Sequence, residues 1–287
     1  MSASLSFSIV TPSYNALPEL KKCVGSVRNI ADVKLEHIIQ DGDSDDGTKE
    51  WLLKQTDLIS NSEPDHGMYD AINKGWSKGS GDILSWLNAD EQYLPGTLQS
   101  VQVAFNKNPD IDVVWGYYIC VDPSGNPLSV RKDIDAGYFM LRNGKTCYIG
   151  SSTVFFRRQL WDSGLLQLSM DYRYSADKEL YLRLLRANAR FLLLKKYFSL
   201  FEVSSENLSA RYYNDMAQEG ELIRQQYPAS PAFFRFGSQM LRKFLKLCRG
   251  AYRESIVQYP YVVDEDGASR IVTAHDLAGK LRHQITS

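Results

Sequence analysis

Only four cysteines occur in the 287 residues, Cys23, Cys120, Cys147 and Cys248, and no two of them form a CxxC pair. Their wide spacing argues against a zinc site and against a disulfide framework, and a reducing compartment fits them best. Charge of one sign is missing as well: 33 Lys and Arg stand against 34 Asp and Glu. There is therefore no global basic field to gather nucleic acid and no acidic tail, so partners must be recognised by local chemistry. No stretch nears the ~18 apolar residues of a membrane span. The opening Met1-Ser2-Ala3-Ser4-Leu5-Ser6 lacks a basic region followed by a long apolar run. These absences lead us to expect a protein kept on the cytoplasmic side. Internal repeats and low-complexity segments are absent too. With 44% hydrophobic and 23% charged residues, the chain can bury a large core as one domain plus a smaller appendage.

What is present begins with an apolar strand that ends in acid, Asp82-Ile83-Leu84-Ser85-Trp86-Leu87-Asn88-Ala89-Asp90-Glu91, before the turn pair Pro95-Gly96. Acid at the carboxyl end of a buried strand sits where open α/β sheets keep their ligand crevice, and it suits a divalent cation. Upstream, Phe7-Ser8-Ile9-Val10 reads as a strand stopped by Thr11-Pro12-Ser13. A helix follows with Leu20, Val24 and Val27 on one face. His37-Ile38-Ile39-Gln40 is a second strand, broken by Asp41-Gly42-Asp43-Ser44-Asp45-Asp46-Gly47-Thr48, with a helix from Lys49 to Leu53. Leu58 to Ser60 is a weaker strand and Tyr69 to Ser77 a short helix. Repeated βα units imply a parallel sheet with right-handed crossovers. Loops at the strands' carboxyl ends then share one rim, so Pro12 to Asn15, Asp41 to Asp46 and Asn88 to Glu91 should converge.

The second half is less regular. Val113 to Ile119 reads as a strand, and the turn Asp122-Pro123-Ser124-Gly125-Asn126-Pro127 predicts a hairpin. Thr153 to Phe156 and Phe191 to Leu194 are further strands, with a helix from Asp177 to Ala187 between them. From about Tyr227 the composition shifts. Phe233, Phe234, Met240, Leu241, Phe244, Leu245 and Cys248 alternate with Arg235, Arg242, Lys243, Lys246, Arg249 and Arg253, which predicts a basic amphipathic helix. We divide the chain into residues 1–227, with a first part at about 6–95 and a second at about 96–227, and a C-terminal extension, 228–287.

Taken singly, each acidic piece has an ordinary reading. Asp, Ser and Gly dominate turns, Asp46 or Thr48 would cap a helix well, and Asp177 could be a cap or a dipole partner. Order and spacing change the odds. Ile9-Val10-Thr11-Pro12-Ser13-Tyr14-Asn15, Ile39-Gln40-Asp41-Gly42-Asp43-Ser44-Asp45-Asp46-Gly47-Thr48, Ser62-Glu63-Pro64-Asp65-His66-Gly67-Met68-Tyr69-Asp70-Ala71-Ile72-Asn73-Lys74-Gly75 and Trp86-Leu87-Asn88-Ala89-Asp90 occur in that order. Together they resemble family-2 glycosyltransferases of the GT-A fold, over roughly Ser6 to Arg190. The third run resembles bacterial enzymes that build surface polysaccharides of the O-antigen or colanic-acid type.

The resemblance implies an α/β fold, one mostly parallel Rossmann-like sheet flanked by helices, with a helical C-terminal extension. It implies an inverting hexosyltransferase that moves a sugar from a nucleotide donor, a UDP-sugar, to a hydroxyl of a glycan or polyprenyl-linked acceptor. Thr11, Pro12, Tyr14, Asn15, Asp41, Asp65, Lys74, Asn88 and Ala89 would bind the nucleotide. Among them Pro12, Tyr14 and Asn15 would line the base pocket, Asp41 would accept the uracil imide hydrogen, and Lys74 could neutralise phosphate. Asp90 would hold Mg2+ or Mn2+ against the diphosphate. Asp177 resembles the family's acidic residue opening the acceptor-side helix and would be the general base, against Glu179, two residues on and on another helical face.

This chain also departs from the family's pattern. Asn88 stands where the family often has Asp, and Glu91 rather than Asp follows Asp90, so the metal rests mainly on Asp90. Val203 stands where related enzymes often carry a histidine, leaving a third metal or phosphate contact in doubt, although Ser204 or Ser205 could still bind phosphate. His66 could serve as a pH switch or ligand, but it reads first as a plain loop residue. The basic helix fits an anionic membrane surface, with solvated arginines on a packed helix as the other reading. Two other functions stay open: a sugar-nucleotide-binding module without activity, made thinkable by Asn88, and a sugar nucleotidyltransferase. The second calls for a glycine-rich, arginine-bearing phosphate loop, unlike Thr11-Pro12-Ser13-Tyr14-Asn15.

Overall fold

The computed structural model describes residues 4–135, 137–144, 147–204, 212–228, 230–252 and 255–276. Strands and helices alternate through the first part as expected: β1 (Ser6–Ser13), α1 (Leu17–Arg28), β2 (Lys34–Asp41), α2 (Thr48–Leu52), β3 (Ile59–Ser62), α3 (Met68–Lys78) and β4 (Ile83–Trp86). There follow β5 (Glu91–Tyr93), α4 (Thr97–Lys107), β6 (Val113–Val121), β7 (Pro127–Arg131), α5 (Tyr138–Asn143), a 3₁₀ turn (Ser151–Thr153), β8 (Val154–Arg157), α6 (Arg158–Asp162), α7 (Ala176–Arg186) and β9 (Phe191–Glu202). The chain continues with α8 (Tyr213–Gln226), α9 (Ala232–Cys248), β10 (Ser255–Val262) and β11 (Ser269–Asp276).

One large sheet runs in the order β3-β2-β1-β4-β8-β6-β9-β5, with β7 pairing on β6. Its first four strands are parallel, with Ser13 opposite Asp41, Asp41 opposite Ser62 and Val10 opposite Trp86. Beyond β4 the sheet is mixed: β8 is antiparallel to both its neighbours, β5 is antiparallel to β9, and only β6 and β9 pair in parallel. The cause is chain geometry. The βα repeat, which forces parallel pairing, ends at β4, and β6 and β7 close as the expected hairpin.

Both faces of the sheet are covered, so β1 is buried from Phe7 on and β4 along its whole length. Phe155 and Phe156 show the division, since neighbouring side chains on a strand point to opposite faces. Phe156 joins Trp76, Trp86 and Tyr181 on one side, and Phe155 joins Phe7, Leu98, Phe105 and Phe198 on the other. Gly75 in α3 lies hard against β1, where a Cβ would collide with both methyls of Val10. That close approach explains a glycine inside a helix that otherwise disfavours it.

Beyond residue 228 the extension holds more than the expected helix. The helix runs Ala232–Cys248, and Arg253 lies outside the described residues. The antiparallel pair β10–β11 then packs Tyr259, Tyr261, Val262 and Val272 toward the rest of the molecule, Tyr259, Tyr261 and Val272 against Leu94, Ile119 and Leu200. The Gln92 side chain joins Val262 by two hydrogen bonds, at 3.0 and 2.9 Å, as a ladder partner would.

Candidate functional site

The parallel register gathers the expected loops on one rim, because β1, β2, β3 and β4 all end on the same side of the sheet. Hydrogen bonds lock the first two loops together. Asn15 Oδ1 accepts the Asp45 N–H at 3.0 Å, and the Asn15 N–H donates to Ser44 Oγ at 2.8 Å. Both turns need left-handed backbone, at φ 48° for Asn15 and 70° for Asp43, a conformation that Asn and Asp tolerate better than other non-glycine residues. Asp46 accepts the N–H groups of Leu17 and Thr48, so it fastens the first turns of α1 and α2 at once.

Asp41 is fully buried at the end of β2. Its carboxylate accepts Ser44 Oγ at 2.5 Å, the Ser44 N–H at 3.0 Å and Ser62 Oγ at 2.6 Å. A carboxylate has about four acceptor positions, which leaves room for one further donor. Beside it Gly42 is flanked by Asp65 and Tyr14: a Cβ there would stand 2.8 Å from Asp65 Oδ2 and 3.4 Å from the Tyr14 ring. Tyr14 is 68% exposed, an aromatic face held out over the rim by a backbone that is bonded beneath it. Pro12 is buried near the end of β1. Thr11 turns inward instead, with its hydroxyl 2.8 Å from His37 Nε2, and Ala89 packs among Leu20, Val24, Ile39, Trp51 and Leu52. Of these two, only the backbone can face a ligand.

The run from Ser62 to Gly75 resolves into separate roles. Asp65 accepts the Gly67 N–H at 2.7 Å and Asp70 accepts the His66 N–H at 3.0 Å, which together fix the turn that leads into α3. Gly67 makes the entry with φ 111°, open mainly to glycine. Asn73 pairs with the backbone of Leu168 in both directions, at 2.8 and 2.9 Å, and ties the helix to the segment before α7. Lys74 reaches the Pro64 carbonyl and Asp70, both at 3.1 Å, so it stays with this loop. His66 is a solvent-facing loop residue whose ring meets Asp70.

The turn between β4 and β5 carries Asn88, Ala89 and Asp90. The Asn88 N–H donates to Glu91 Oε2 at 2.9 Å, which holds the turn closed. Asn88 Oδ1 is buried without a hydrogen-bond partner among the described residues, and Asp90 is half-buried. Two hard oxygen donors on one turn, one of them an orphaned carbonyl, fit a Mg2+ or Mn2+ ion that keeps water or phosphate in the rest of its shell. Among the described residues no group of three or more His, Cys, Asp or Glu could enclose a metal by itself, so any ion here depends on oxygens from its ligand. Glu91 is buried, and desolvation with the neighbouring Asp90 pushes its carboxyl upward.

Asp177 sits in the first turn of α7, where a carboxylate also favours the helix dipole. Desolvation raises its carboxyl from 3.8 to about 6. The phenol of Tyr69 points at its Oδ1 from 3.5 Å, and the Lys178 N–H donates to the same atom at 2.8 Å. Tyr69 thus connects the α3 run to Asp177 across 108 residues. Glu179 is committed elsewhere: Tyr227 donates to it at 2.7 Å and Arg183 pairs with it at 3.1 Å, inside the protein. Sequence reasoning missed Tyr69, although it stood in the motif, because nothing in the chain says where a helix's aromatic points. The glutamate that closes the Asn88 turn and the serines around Asp41 were missed for the same reason. Ser205 lies outside the described residues.

Comparison with known proteins gives a consistent answer. The family model for glycosyl transferase family 2 matches residues 8–164. An uncharacterized glycosyltransferase of Mycobacterium tuberculosis is 28% identical over 241 residues, 79% of this chain and 87% of that protein. The UDP-Glc:alpha-D-GlcNAc-diphosphoundecaprenol beta-1,3-glucosyltransferase WfgD of Escherichia coli is 24% identical over 223 residues, 75% and 84% of the two chains. Among solved structures, TarS of S. aureus with UDP-GlcNAc shares the fold with a TM-score of 0.61 at 16% identity, over 84% of this chain and 72% of that one. The mannosyltransferase PcManGT of Pyrobaculum calidifontis, solved with GDP-Man and Mn2+, gives 0.55 at 17% identity over 86% and 65%.

Proposed function

Because the chain belongs to glycosyl transferase family 2 and has the GT-A fold, we propose that it is an inverting hexosyltransferase using a UDP-sugar to extend a glycan or polyprenyl-linked acceptor. The observation that carries this reading is the single rim that joins Tyr14, Asp41, Asp65 and Lys74 to the Asn88-Ala89-Asp90 turn, with Asp177 linked to the same rim by Tyr69.

The uracil ring stacks against the exposed Tyr14 face beside Gly42, with its imide N–H directed to the remaining acceptor position of Asp41. Cytosine lacks that donor. The phosphates lie toward Asn88 and Asp90, and Lys74 adds positive charge from α3. Mg2+ or Mn2+ held by Asp90 and Asn88 Oδ1 would neutralise charge on the departing diphosphate. Asp177 takes the proton from the acceptor hydroxyl as that oxygen attacks the anomeric carbon from the face opposite the leaving group. Its desolvated carboxyl, raised to about 6, is still ionised at neutral pH and is a stronger base than an ordinary aspartate, worth about 10²- to 10⁴-fold in rate. Tyr69 orients it.

Kinship with a relative named for acting on a diphosphoundecaprenol-linked sugar supports bacterial surface-polysaccharide synthesis on the cytoplasmic side as the setting. Residues 1–227 then form the catalytic part, and 228–287 an extension fastened to it by β10–β11. A thermal-shift series of nucleotides with Mn2+ tests the donor assignment: UDP and UDP-sugars should stabilise most, by about 2.7 kcal/mol at a hundredfold Kd. A larger shift with a purine nucleotide would refute the uridine contact.

A further inference from the structure

Amphipathic helices on a globular protein normally bury the apolar side. α9 does the reverse. Phe233, Phe236, Met240, Phe244 and Leu247 fall within an arc of about 80° and along about 21 Å of the helix. They are 81%, 67%, 47%, 59% and 64% exposed, with Phe234 and Leu241 exposed at the margin. The packed side is polar and basic: Ser238 is buried, Arg242 forks onto Asp133 and lies 4.2 Å from the Tyr148 ring centre, and Lys246 pairs with Asp133 at 3.2 Å. Arg249 pairs with Asp135 at 2.7 Å. Three of the cations that suggested attraction to a membrane are therefore engaged with the protein itself.

We propose that the outward face of α9 inserts into the interface of an anionic lipid bilayer, with the aromatic stripe as the main contact, Lys243 as its charged margin and Arg235 as a second exposed cation near the helix's start. Two observations select lipid as the occupant. The span 232–252 contains five cations and no acid, and Arg235 and Lys243 are exposed without an ion pair among the described residues. A second copy docked through the same face would bring these like charges together, whereas an anionic surface complements them. No helix among the described residues is long and apolar enough to cross a membrane, so the helix lies on the surface. α9 packs on α5, and α5 on α7, so docking holds the Asp177 end of the molecule close to the bilayer. This last point rests on the proposed reading of Asp177, and it fits an acceptor carried on a lipid.

Co-sedimentation of the full chain with vesicles tests the proposal. The probes are phosphatidylcholine alone and phosphatidylcholine with roughly one-third phosphatidylglycerol, the mixture supplying the negative surface potential. Wild type should pellet with the anionic vesicles and remain partly bound at high salt, since apolar insertion is not screened. Phe236→Asp with Phe244→Asp should lower partitioning by about tenfold or more with an unchanged melting temperature, and Arg235→Gln with Lys243→Gln should remove only the salt-sensitive part. Wild type left in the supernatant, or the double aspartate variant pelleting like wild type, overturns the proposal. So does a concentration-dependent dimer abolished by the same two aspartates, which would make a second copy the occupant. The assay contains no donor or acceptor, and Asp90→Ala should pellet like wild type, so a failed transferase reading and a failed membrane reading give different results.

Discussion

Replacing Asp177 with asparagine should stop transfer and make the protein more stable, and the gain should depend on pH. Folding raises this carboxyl from 3.8 to about 6, mainly by desolvation. The folded state therefore binds the proton more tightly than the unfolded chain does, and it is penalised wherever the group is ionised. The penalty is absent below about pH 4, builds as pH rises to 6, and is complete above that. A change from 3.8 to about 6 is roughly two hundredfold in proton affinity, or about 3 kcal/mol at most. For a chain of this size that corresponds to about 5 °C in Tm. Asparagine keeps an oxygen for Tyr69 and the Lys178 N–H but carries no charge to desolvate. Paired thermal melts of wild type and Asp177→Asn between pH 4 and pH 8 measure the effect. The two Tm values should meet near pH 4 and separate to about 5 °C by pH 8, with the variant higher. A variant that melts lower at pH 8, or a gap that ignores pH, would refute the argument. Wild-type kcat/KM should fall about tenfold per pH unit below about 6, since only the ionised carboxylate of the free enzyme accepts the proton.

Three further outcomes follow from particular contacts. Gly75→Ala should cost about 1–3 kcal/mol in urea unfolding, because its methyl would overlap Val10 and push α3 off β1; an unchanged midpoint would mean the helix can shift freely. Tyr227→Phe removes the 2.7 Å hydrogen bond to buried Glu179 and should cost about 1–3 kcal/mol while the pH–rate profile keeps its acid limb. Loss of that limb would move the base from Asp177 to Glu179. Gly42→Ala should weaken UDP binding about five- to tenfold by calorimetry, since its Cβ reaches within 2.8 Å of Asp65 and contacts Tyr14. Equal affinity would place the base elsewhere.

The parallel half of the sheet was legible because its strands carry short apolar runs such as Ile9-Val10 and Ile38-Ile39 with turn chemistry at their carboxyl ends. Register then carried Pro12 to Asn15, Asp41 to Asp46 and Asn88 to Glu91 to one rim. The mixed half was harder, since β5 has three residues and is recognisable only by its partner β9, and β10 interrupts its alternation with Pro260. Side-chain direction was the main thing hidden. Thr11 and Ala89 belong to the right motifs yet point into the core, and Tyr69 reaches Asp177 from a distant helix. In α9 the sequence pattern reveals two faces but not which of them packs. Asp133 and Asp135, more than a hundred residues upstream, decide it by drawing the cations inward.

Everything in the proposed chemistry passes through Asp90, the one carboxylate left at the metal position of the Asn88-Ala89-Asp90 turn. The most direct test is transfer of labelled sugar from a UDP-sugar with Mn2+ to a lipid-linked acceptor, with wild type and Asp90→Ala side by side and UDP binding measured on both. Wild type should transfer, and Asp90→Ala should lose about a hundredfold or more in kcat/KM, the scale of removing charge stabilisation at a leaving group. Full transfer by Asp90→Ala, or a wild type that binds UDP-sugar and never transfers it, would contradict the account.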